Sequence, residues 1–469
     1  MTTPARSISA ARLFRGQALN GSCPATFSGL CRDSRLATNG QAYVAQSLVS
    51  EELVRHCAQA RAAGASVVAD DAHADLRTSH PRWAFARASA ALHGLDSDTV
   101  GVSHPPLLAT TGTKGKSTVT HLVWWLLGAL GNGAARIGTI GWHDGLRETP
   151  NRQTTPPPDE LHAFLAALPT TCPGVALEAS SHGADQYRLA GLPLAGLAVT
   201  GIGHDHLDYH GTQSAYVGAK LRIVQLLRRG GRLVLNADDA SAHLFAHAGA
   251  CVGAEVIMLS AEQVRAAGLG SPLPGAFNAW NTAAAVHLVQ SVGVSRAMSI
   301  ERLRSMPAIP GRLEMLATAP VTYVDYAHTA ESISAVLAAI RETHPMAPVA
   351  IVFGCGGDRD ISKRAPMGAA ASAADFVVIT TDNSRSEDPR VIASQILVGL
   401  TSSPQAREHA VEPDRAAAIT RARAHVGVNG VVVVAGKGHE TTQDILGVVT
   451  SWDDRAFVRS LSPLPVSAS

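Results

Sequence analysis

What most constrains this 469-residue chain is a repeated alternation of short, almost continuous apolar runs with helical segments. From residue 107 the runs read "LLAT", "ARIGTIG", "GVALEASS", "GLAVTGI" and "RLVLNADD", separated by segments such as "DELHAFLAAL" and "SAYVGAKLRIVQLLRR". After "PAIPGRLEM" the pattern restarts with "VTYVDYAH", "VAIVFGCGG", "DFVVITTDN" and "GVVVVAGKGHE", set around "ESISAVLAAIRETH" and "DRAAAITRARAHV". Strands apolar on both faces, alternating with helices of about 10 to 15 residues, predict α/β layers with parallel sheets. In such sheets ligands gather beyond the carboxyl ends of the strands, and each unusual polar cluster here falls at such an end.

The length predicts roughly three domains. Residues 1–100 hold candidate strands "QAYVAQ" and "GASVVAD" around a helix, "SEELVRHCAQARAAG", and "DSDTVGVSHPP" reads as a linker. Residues 101–305 form a central block closed by the helix "FNAWNTAAAVHLVQSVG", and residues 306–469 a second doubly wound domain. With 39 basic and 38 acidic residues the net charge is +1, so no global field gathers nucleic acid or an anionic membrane. The expected partners are small molecules held by local sites. Cys23, Cys31, Cys57, Cys172, Cys251 and Cys355 show no C-x-x-C pair, which suggests neither a disulfide framework nor a zinc site and fits a reducing cytoplasm. The apolar stretch "LVWWLLGAL" (122–130) is well short of the roughly 20 residues that cross a bilayer and reads as a buried helix. The start, "MTTPARSISAARLFRG", has no apolar core of a secretory signal and reads as a frayed terminus.

The most specific motif is "TGTKGKST" (111–118), between an apolar run and a helical segment. Its glycines let the backbone approach a polyphosphate, successive N–H groups cradle the oxygens, Lys116 neutralises them and Ser117 can ligate magnesium. The spacing departs from G-x-x-x-x-G-K-S because Thr110 stands where the first glycine belongs. "GCGGDRD" (354–360) either aims Asp358, Arg359 and Asp360 at a ligand or is only a tight glycine turn. Glu178, ending the run "GVALE", calls for a metal or a salt bridge, because a lone buried carboxylate is costly. "GHDHLDYHG" (203–211) suits a zinc site, a magnesium and phosphate site, or solvated loop histidines. Lys220, inside a helix, is by default a surface lysine. There is no G-x-S-x-G elbow and no evident Cys/His pair. The residues point to an ATP-using enzyme that works by positioning and electrostatic stabilisation, with its substrate open.

In order, "TGTKGKST", "NRQTTP", "EASSHGADQYR", "HDHLDYHGT", "FNAWN", "PGRLE", "DYAHT", "VFGCGGDRD", "DNSRSEDP" and "AGKGHE" resemble the motifs of the Mur ligases, over about residues 107–455. The resemblance is to the MurE type, which adds the third residue of the peptidoglycan stem peptide. It implies three domains: a small α/β N-terminal domain that recognises a UDP-linked acceptor, a central P-loop ATPase, and a C-terminal Rossmann-like domain that closes over the nucleotide. It also implies that ATP phosphorylates a carboxylate and that an amino acid amine attacks the acyl phosphate.

Carried over by motif, the catalytic set is Lys116, Glu178, His206 and Lys220, with Ser117, Glu178, His206 and Lys220, as a carbamate, serving magnesium. Gly112, Thr113, Lys114, Gly115, Lys116, Ser117, Thr118, Asn278, Arg312, Asp325 and His328 match nucleotide-contacting positions. Ser34, Thr154, Thr155, Ser180, Gln186 and Arg188 match acceptor contacts. Arg359, Asp382, Asn383, Arg385, Gly436 and Glu440 match the amino acid pocket, where the arginine of a "DNPR" motif grips the distal carboxylate of meso-diaminopimelate. The resemblance leaves the expectation of a cytoplasmic monomer or weak dimer.

Ser384 replaces the proline of "DNPR", "QSLVSEEL" stands where a G-x-x-x-D-G-H stretch is expected, and "GIGHDHLD" and the short stretch from "NADD" to "GAFN" also depart from the pattern. Two other readings therefore stand beside a peptidoglycan ligase: an amide ligase of a specialised pathway with another acid or amine, and a catalytically silent nucleotide-binding homologue.

Overall fold

Val, Ile, Leu and Ala occupy both faces of the central strands, so these strands become stable only when helices cover them on both sides. That is the arrangement in the computed structural model, which describes residues 8–15, 24–46, 50–70, 74–95, 104–131, 133–150, 153–403 and 408–464. The described residues fall into two compact units, one drawn from residues 1–260 and 284–299 and the other from 261–283 and 300–469.

Among the described residues the first unit carries a short antiparallel pair, Ile8–Ser9 with Thr26–Phe27, and two larger sheets. A four-stranded parallel sheet joins Gly29–Cys31, Gln41–Val44, Ser66–Ala69 and Leu76–Arg77. Ahead of its third strand lies the expected helix, Ser50–Ala62. The eight-stranded sheet has the spatial order Glu148–Thr149, Gly141–His143, Ala135–Gly138, Val175–Glu178, Leu107–Thr111, Leu194–Val199, Leu227–Asn236 and Glu255–Leu259. Its six consecutive strands from Ala135–Gly138 onward are parallel, and the two short edge strands are antiparallel. From Leu107–Thr111 the chain builds outward to one side, then crosses to Leu194–Val199 on the other. The crevice between those two strands is thus the topological switch point, where α/β sheets bind ligands.

One expected helix is shorter than its apolar pattern suggested. The segment "SAYVGAKLRIVQLLRR" is helical only as Gln213–Val224, and Arg228 and Arg229 belong to the strand Leu227–Asn236. Leu227 pairs with Leu194 across the sheet, and ladder bonds there replace another helical turn. "LVWWLLGAL" is likewise the end of the helix Lys116–Leu127 followed by a single 3₁₀ turn, Gly128–Leu130.

The second unit is built on a six-stranded sheet in the order Glu314–Thr318, Val321–Asp325, Val431–Ala435, Val349–Phe353, Phe376–Ile379 and Glu408–Val411, parallel except for the first strand. Ile351, Phe353, Val377, Ile379, Val431 and Val433 are fully or almost fully buried on one face, where Ile333, Leu337, Ile340 and Ile396 from helices cover them. Burying each such side chain contributes roughly 1.5–3 kcal/mol. Four adjacent strands end in "DYAH", "GKGHE", "GCGG" and "TTDNSR", so one edge of this sheet collects the polar clusters.

Residues 96–103 of the expected linker over 96–106 and Asn151 and Arg152 of "NRQTTP" lie outside the described residues, as do Ser47, Leu48 and Val49 of "QSLVSEEL" and parts of the chain's start. No helix among the described residues is long and apolar enough to cross a membrane.

Candidate active site

The central strand Leu107–Thr111 ends in a loop that only glycine can start. Gly112 has φ +142°, and a Cβ there would stand 1.9 Å from the Thr200 hydroxyl. Gly115, with φ +79°, occupies the N-cap of the helix Lys116–Leu127 and lets the chain turn into it. Thr113 N–H donates to the Gly201 carbonyl at 2.8 Å, and the Thr200 hydroxyl donates to the carbonyls of Thr111 and Lys114. The loop from Gly112 to Thr118 is thus gripped by the end of the neighbouring strand. Lys116 folds back over it, donating to the carbonyls of Gly112 at 3.1 Å and Thr113 at 3.0 Å.

Glu178 pairs in register with Thr110, which brings its carboxylate beside this loop. It is 2% exposed and accepts from Ser117 Oγ at 3.2 Å, Thr139 N–H at 2.9 Å and Thr139 Oγ1 at 3.0 Å. A Cβ at Gly138 would come within 2.4 Å of its Oε1, so that strand end must be glycine. Thr139 Oγ1 also lies 2.9 Å from Thr154 Oγ1, and Thr155 Oγ1 donates to the Glu178 carbonyl while accepting from Ser180 N–H. Lys116, Ser117, Glu178, Thr154, Thr155 and Ser180 are therefore one connected site.

Lys220 overturns the expectation of a surface lysine. It is 1% exposed, its Nζ donates to the Gly112 carbonyl at 2.8 Å, and it lies 4.7 Å over the ring of Tyr216, one helical turn earlier. Burial first, and the Lys116 charge second, push its ammonium well below the ordinary lysine range. The hydroxyl of Tyr216 sits 2.9 Å from Thr113 Oγ1, tying the same helix to the loop.

The histidine-rich stretch packs its rings edge-on and tilted around His182. His182 lies 4.8 Å from His206 and 4.1 Å from Tyr209, centroid to centroid. Burial, then the charges of His206 and His210, hold His182 neutral, pushed down to about 4. His206 N–H donates to its neighbour Asp205, and the imidazole faces Asp205 at 3.7 Å. Among the described residues no group of three or more His, Cys, Asp or Glu side chains is placed to hold a metal by itself. Arg188 donates to Gln186, Gln153 and the Thr155 carbonyl, which joins both expected acceptor residues to the site. Ser34 is apart from them: buried, it donates to Gln59 at 2.7 Å, while Arg32, two residues earlier, pairs with Asp159 and Glu160.

In the second unit, Asn278 is buried and bonded to the Pro274 carbonyl and to Asn281. Arg312 lies 4.6 Å over the Tyr326 ring, whose other neighbours are His328 at 4.8 Å and His439 at 5.2 Å. Asp325 caps two turns, accepting from Leu313 and Ala327 N–H at 2.7 Å each; burial raises its carboxyl while Arg312 and these donors oppose the rise.

The loop after Phe376–Ile379 meets the loop after Val431–Ala435. Asn383 Nδ2 donates to Glu440 at 2.8 Å, and a Cβ at Gly436 would stand 2.6 Å from the Asp382 carboxylate. Arg385 donates to the Gly357 carbonyl at 2.6 Å, and a Cβ at Gly356 would meet both the Arg385 guanidinium at 2.9 Å and the stem of the exposed Arg359 at 3.8 Å. Asp358 and Asp360 are both engaged by protein groups. Asp358 accepts from Ser386, and Asp360 caps the 3₁₀ turn Ile361–Lys363. Ser384, fully buried, accepts from Leu446 N–H at 3.3 Å and so fastens the hairpin Thr442–Ile445 and Val448–Ser451 to this loop, a bond proline cannot make. Beneath it, Arg415 and Asp454 form a buried pair at 2.7 Å, and Arg415 also donates to the carbonyls of Thr381 and Ala435.

Among the described residues six non-glycine residues adopt positive φ: Tyr187, His206, Leu313, Asp358, Arg385 and Leu446. Each costs about 1–2 kcal/mol, and such strain persists where function over-determines the backbone. Leu446 turns a hairpin; the other five stand inside the sequence motifs. Sequence reasoning missed Thr139, Thr200, Tyr216 and Lys437. Tyr216 was findable as the residue four before Lys220 and Lys437 as the lysine inside "AGKGHE", whereas the other two have no local pattern.

Residues 110–268 match the family described as Mur ligase middle domain, and residues 311–438 match Mur ligase, glutamate ligase domain. The UDP-N-acetylmuramoyl-L-alanyl-D-glutamate--2,6-diaminopimelate ligase of Caulobacter vibrioides is 38% identical over 418 residues, covering 81% of this chain and 82% of that protein. The protein of the same name from Brucella melitensis is 35% identical over 92% of this chain and 93% of its own. A solved structure of a UDP-N-acetylmuramoyl-L-alanyl-D-glutamate--2,6-diaminopimelate ligase superposes with a TM-score of 0.68 at 29% identity, over 97% of this chain and 98% of that one. MurF from Acinetobacter baumannii shares the fold, with a TM-score of 0.58 at 16% identity over 92% and 96% of the two chains. The ordered motifs, the sheets that carry them and these relatives agree: the chain belongs to the Mur ligase family.

Proposed function

We propose that the protein is a cytoplasmic ATP-dependent amide ligase that joins meso-diaminopimelate to UDP-N-acetylmuramoyl-L-alanyl-D-glutamate. The γ-phosphoryl group passes from ATP to the acceptor carboxylate, giving ADP and an acyl phosphate. The amine nitrogen then attacks the acyl carbon, loses a proton and expels phosphate.

The observation that carries this reading is the buried lysine. Lys220 reaches across 108 residues to the Gly112 carbonyl, in a place that serves no exposed charge. Burial favours its neutral amine, the form that combines with carbon dioxide to give a carbamate. The hydroxyl of Ser117 and the carboxylate of Glu178, 3.2 Å apart, are hard oxygen donors that suit magnesium. We assign them, with the Lys220 carbamate and His206, to that ion, which when bound neutralises phosphate charge. Lys116 and the N–H groups of Gly112 to Thr118 hold the phosphates, and Thr139 keeps Glu178 pointed at them. Arg188, Thr154, Thr155, Ser180 and Gln186 orient the acceptor, with Ser34 in the acceptor-recognition domain. Asn278, Arg312, Asp325 and His328 receive the rest of the nucleotide. Arg385 and Arg359, with Asp382, Asn383, Gly436 and Glu440, select the amine, and Arg385 reads its second carboxylate bidentately. Residues 1–100, 101–305 and 306–469 divide these tasks, in a monomer or weak dimer with neither nucleic acid nor membrane as partner.

Phosphate release from purified protein, ATP and magnesium tests the reading as acceptor and amine are varied. Turnover only with the uridine-linked dipeptide and diaminopimelate is the expected result. Turnover with an acid lacking the uridine nucleotide would refute it.

A further inference from the structure

One charged side chain beneath the amine pocket has no part in the function assigned so far. Lys437, two residues past the strand Val431–Ala435, is completely buried. Its Nζ donates to Asn383 Oδ1 at 3.0 Å and to Glu440 Oε2 at 3.1 Å. Asn383 Oδ1 also accepts from Asp444 N–H at 3.1 Å, and Asn383 Nδ2 donates to the same Glu440 oxygen at 2.8 Å. These donors fill the amide oxygen, fix which way the Asn383 amide points, and leave Glu440 Oε1 as the oxygen open to a ligand.

The charges can be followed in pairs. Arg415 and Asp454 cancel one another, and Lys437 cancels Glu440. What remains toward the ligand is the Arg385 and Arg359 side against Asp382. Without Lys437, Glu440, whose side chain is 31% exposed, would be an unbalanced carboxylate at the pocket, repelling a second substrate carboxylate and favouring a plain ammonium.

We propose that Lys437 is a specificity-determining residue. By holding Asn383 and Glu440 with a buried ammonium, it sets the pocket charge so that an amine carrying two carboxylates is accepted over its monocarboxylic analogue. This rests on the reading of the loop around Arg385 as the amine site.

The test compares kcat/KM for meso-diaminopimelate and for L-lysine, which differ by one carboxylate, in wild-type protein, Lys437→Met, Lys437→Arg and Lys437→Met/Glu440→Gln. The expected result is a fall of at least about tenfold in the diaminopimelate-to-lysine ratio for Lys437→Met, the change that about 1.4 kcal/mol produces. Lys437→Arg keeps the charge and should keep most of the ratio. The double variant, which removes the charge that Lys437 balances, should recover part of it. The KM for ATP should not move, whereas a merely structural role would lower all constants alike. An unchanged ratio in folded Lys437→Met overturns the proposal alone. If Lys437→Met does not fold, Lys437→Gln takes its place, and failure of both to fold assigns the residue to stability and also overturns it. A wild-type enzyme with no preference for diaminopimelate overturns both the proposal and the reading beneath it.

Discussion

Replacing Thr139 by valine separates the orientation of Glu178 from its presence. Thr139 supports that carboxylate twice, through its N–H at 2.9 Å and its hydroxyl at 3.0 Å, and the hydroxyl also lies 2.9 Å from that of Thr154. Valine keeps the side-chain shape and the N–H donor and removes the hydroxyl. A hydrogen bond to a charged group is worth about 1.5–3 kcal/mol and one between neutral groups about 0.5–1.5 kcal/mol. Thr139 is only partly buried, so water recovers some of this, and a loss of about 2 kcal/mol in urea unfolding is expected. The functional effect should exceed the structural one. Groups that orient a metal-binding carboxylate typically change metal affinity by about 10–100-fold. The free magnesium concentration that half-saturates ATP-driven phosphate release should rise in that range, and Thr139→Ser should restore it. A variant less stable by the expected amount but with the wild-type magnesium requirement would show that Thr139 does not orient Glu178 toward the ion.

Three other outcomes follow from the same geometry. Arg385→Lys keeps the charge but loses the planar fork, and should raise the KM for diaminopimelate by about 10–100-fold while leaving that for ATP unchanged; equal KM values would mean that Arg385 reads no carboxylate. Lys220→Ala should abolish turnover, and short carboxylates such as formate should restore part of it in a phosphate-release assay; no rescue would count against the carbamate. His162 is buried with both ring nitrogens unpartnered, and burial, then the nearby His93, push it down to about 3. An unfolded histidine titrates near about 6.5, so the folded state keeps its full stability above that pH and loses it as the pH falls toward 3. His162→Leu should remove this acid sensitivity, gaining about 2 kcal/mol on wild type between pH 7 and pH 5 in chemical unfolding, and parallel curves would refute it.

The layered α/β fold was legible because strands buried on both faces leave unbroken Val, Ile and Ala runs, and because a glycine loop after such a run has few alternatives. The same pattern misled at the end of the helix Gln213–Val224, since Leu226 and Leu227 suit a helix face as well as a strand, and only pairing with Leu194 decides. Lys220 was unreadable without the family resemblance, because what buries it, Gly112 and Tyr216 folded over it, is tertiary. Asp358 and Asp360 could be read either as ligand-facing acids or as parts of a tight glycine turn, because short polar side chains also bond nearby backbone; Asp360 caps its own turn, and Asp358 is held by Ser386 from a distant loop that no local pattern announces. Thr139 carries no periodicity or spacing of its own, and although Lys437 stands inside "AGKGHE", its role exists only where two strand ends converge.

The buried pair of Arg415 and Asp454 decides where this chain can be cut. Arg415 grips the Thr381 carbonyl, two residues past one strand, and the Ala435 carbonyl that ends another, just before Asp382 and Gly436, and among the described residues its carboxylate partner is Asp454, at the start of the helix Asp454–Ser460. A chain shortened to residue 452 would keep every residue that touches the amine, yet strand an uncompensated cation beneath them at a cost of about 3–5 kcal/mol. Such a deletion should abolish diaminopimelate use in the phosphate-release assay. If the shorter chain retained activity, the end of the protein would be trim, and the amine loop would stand without it.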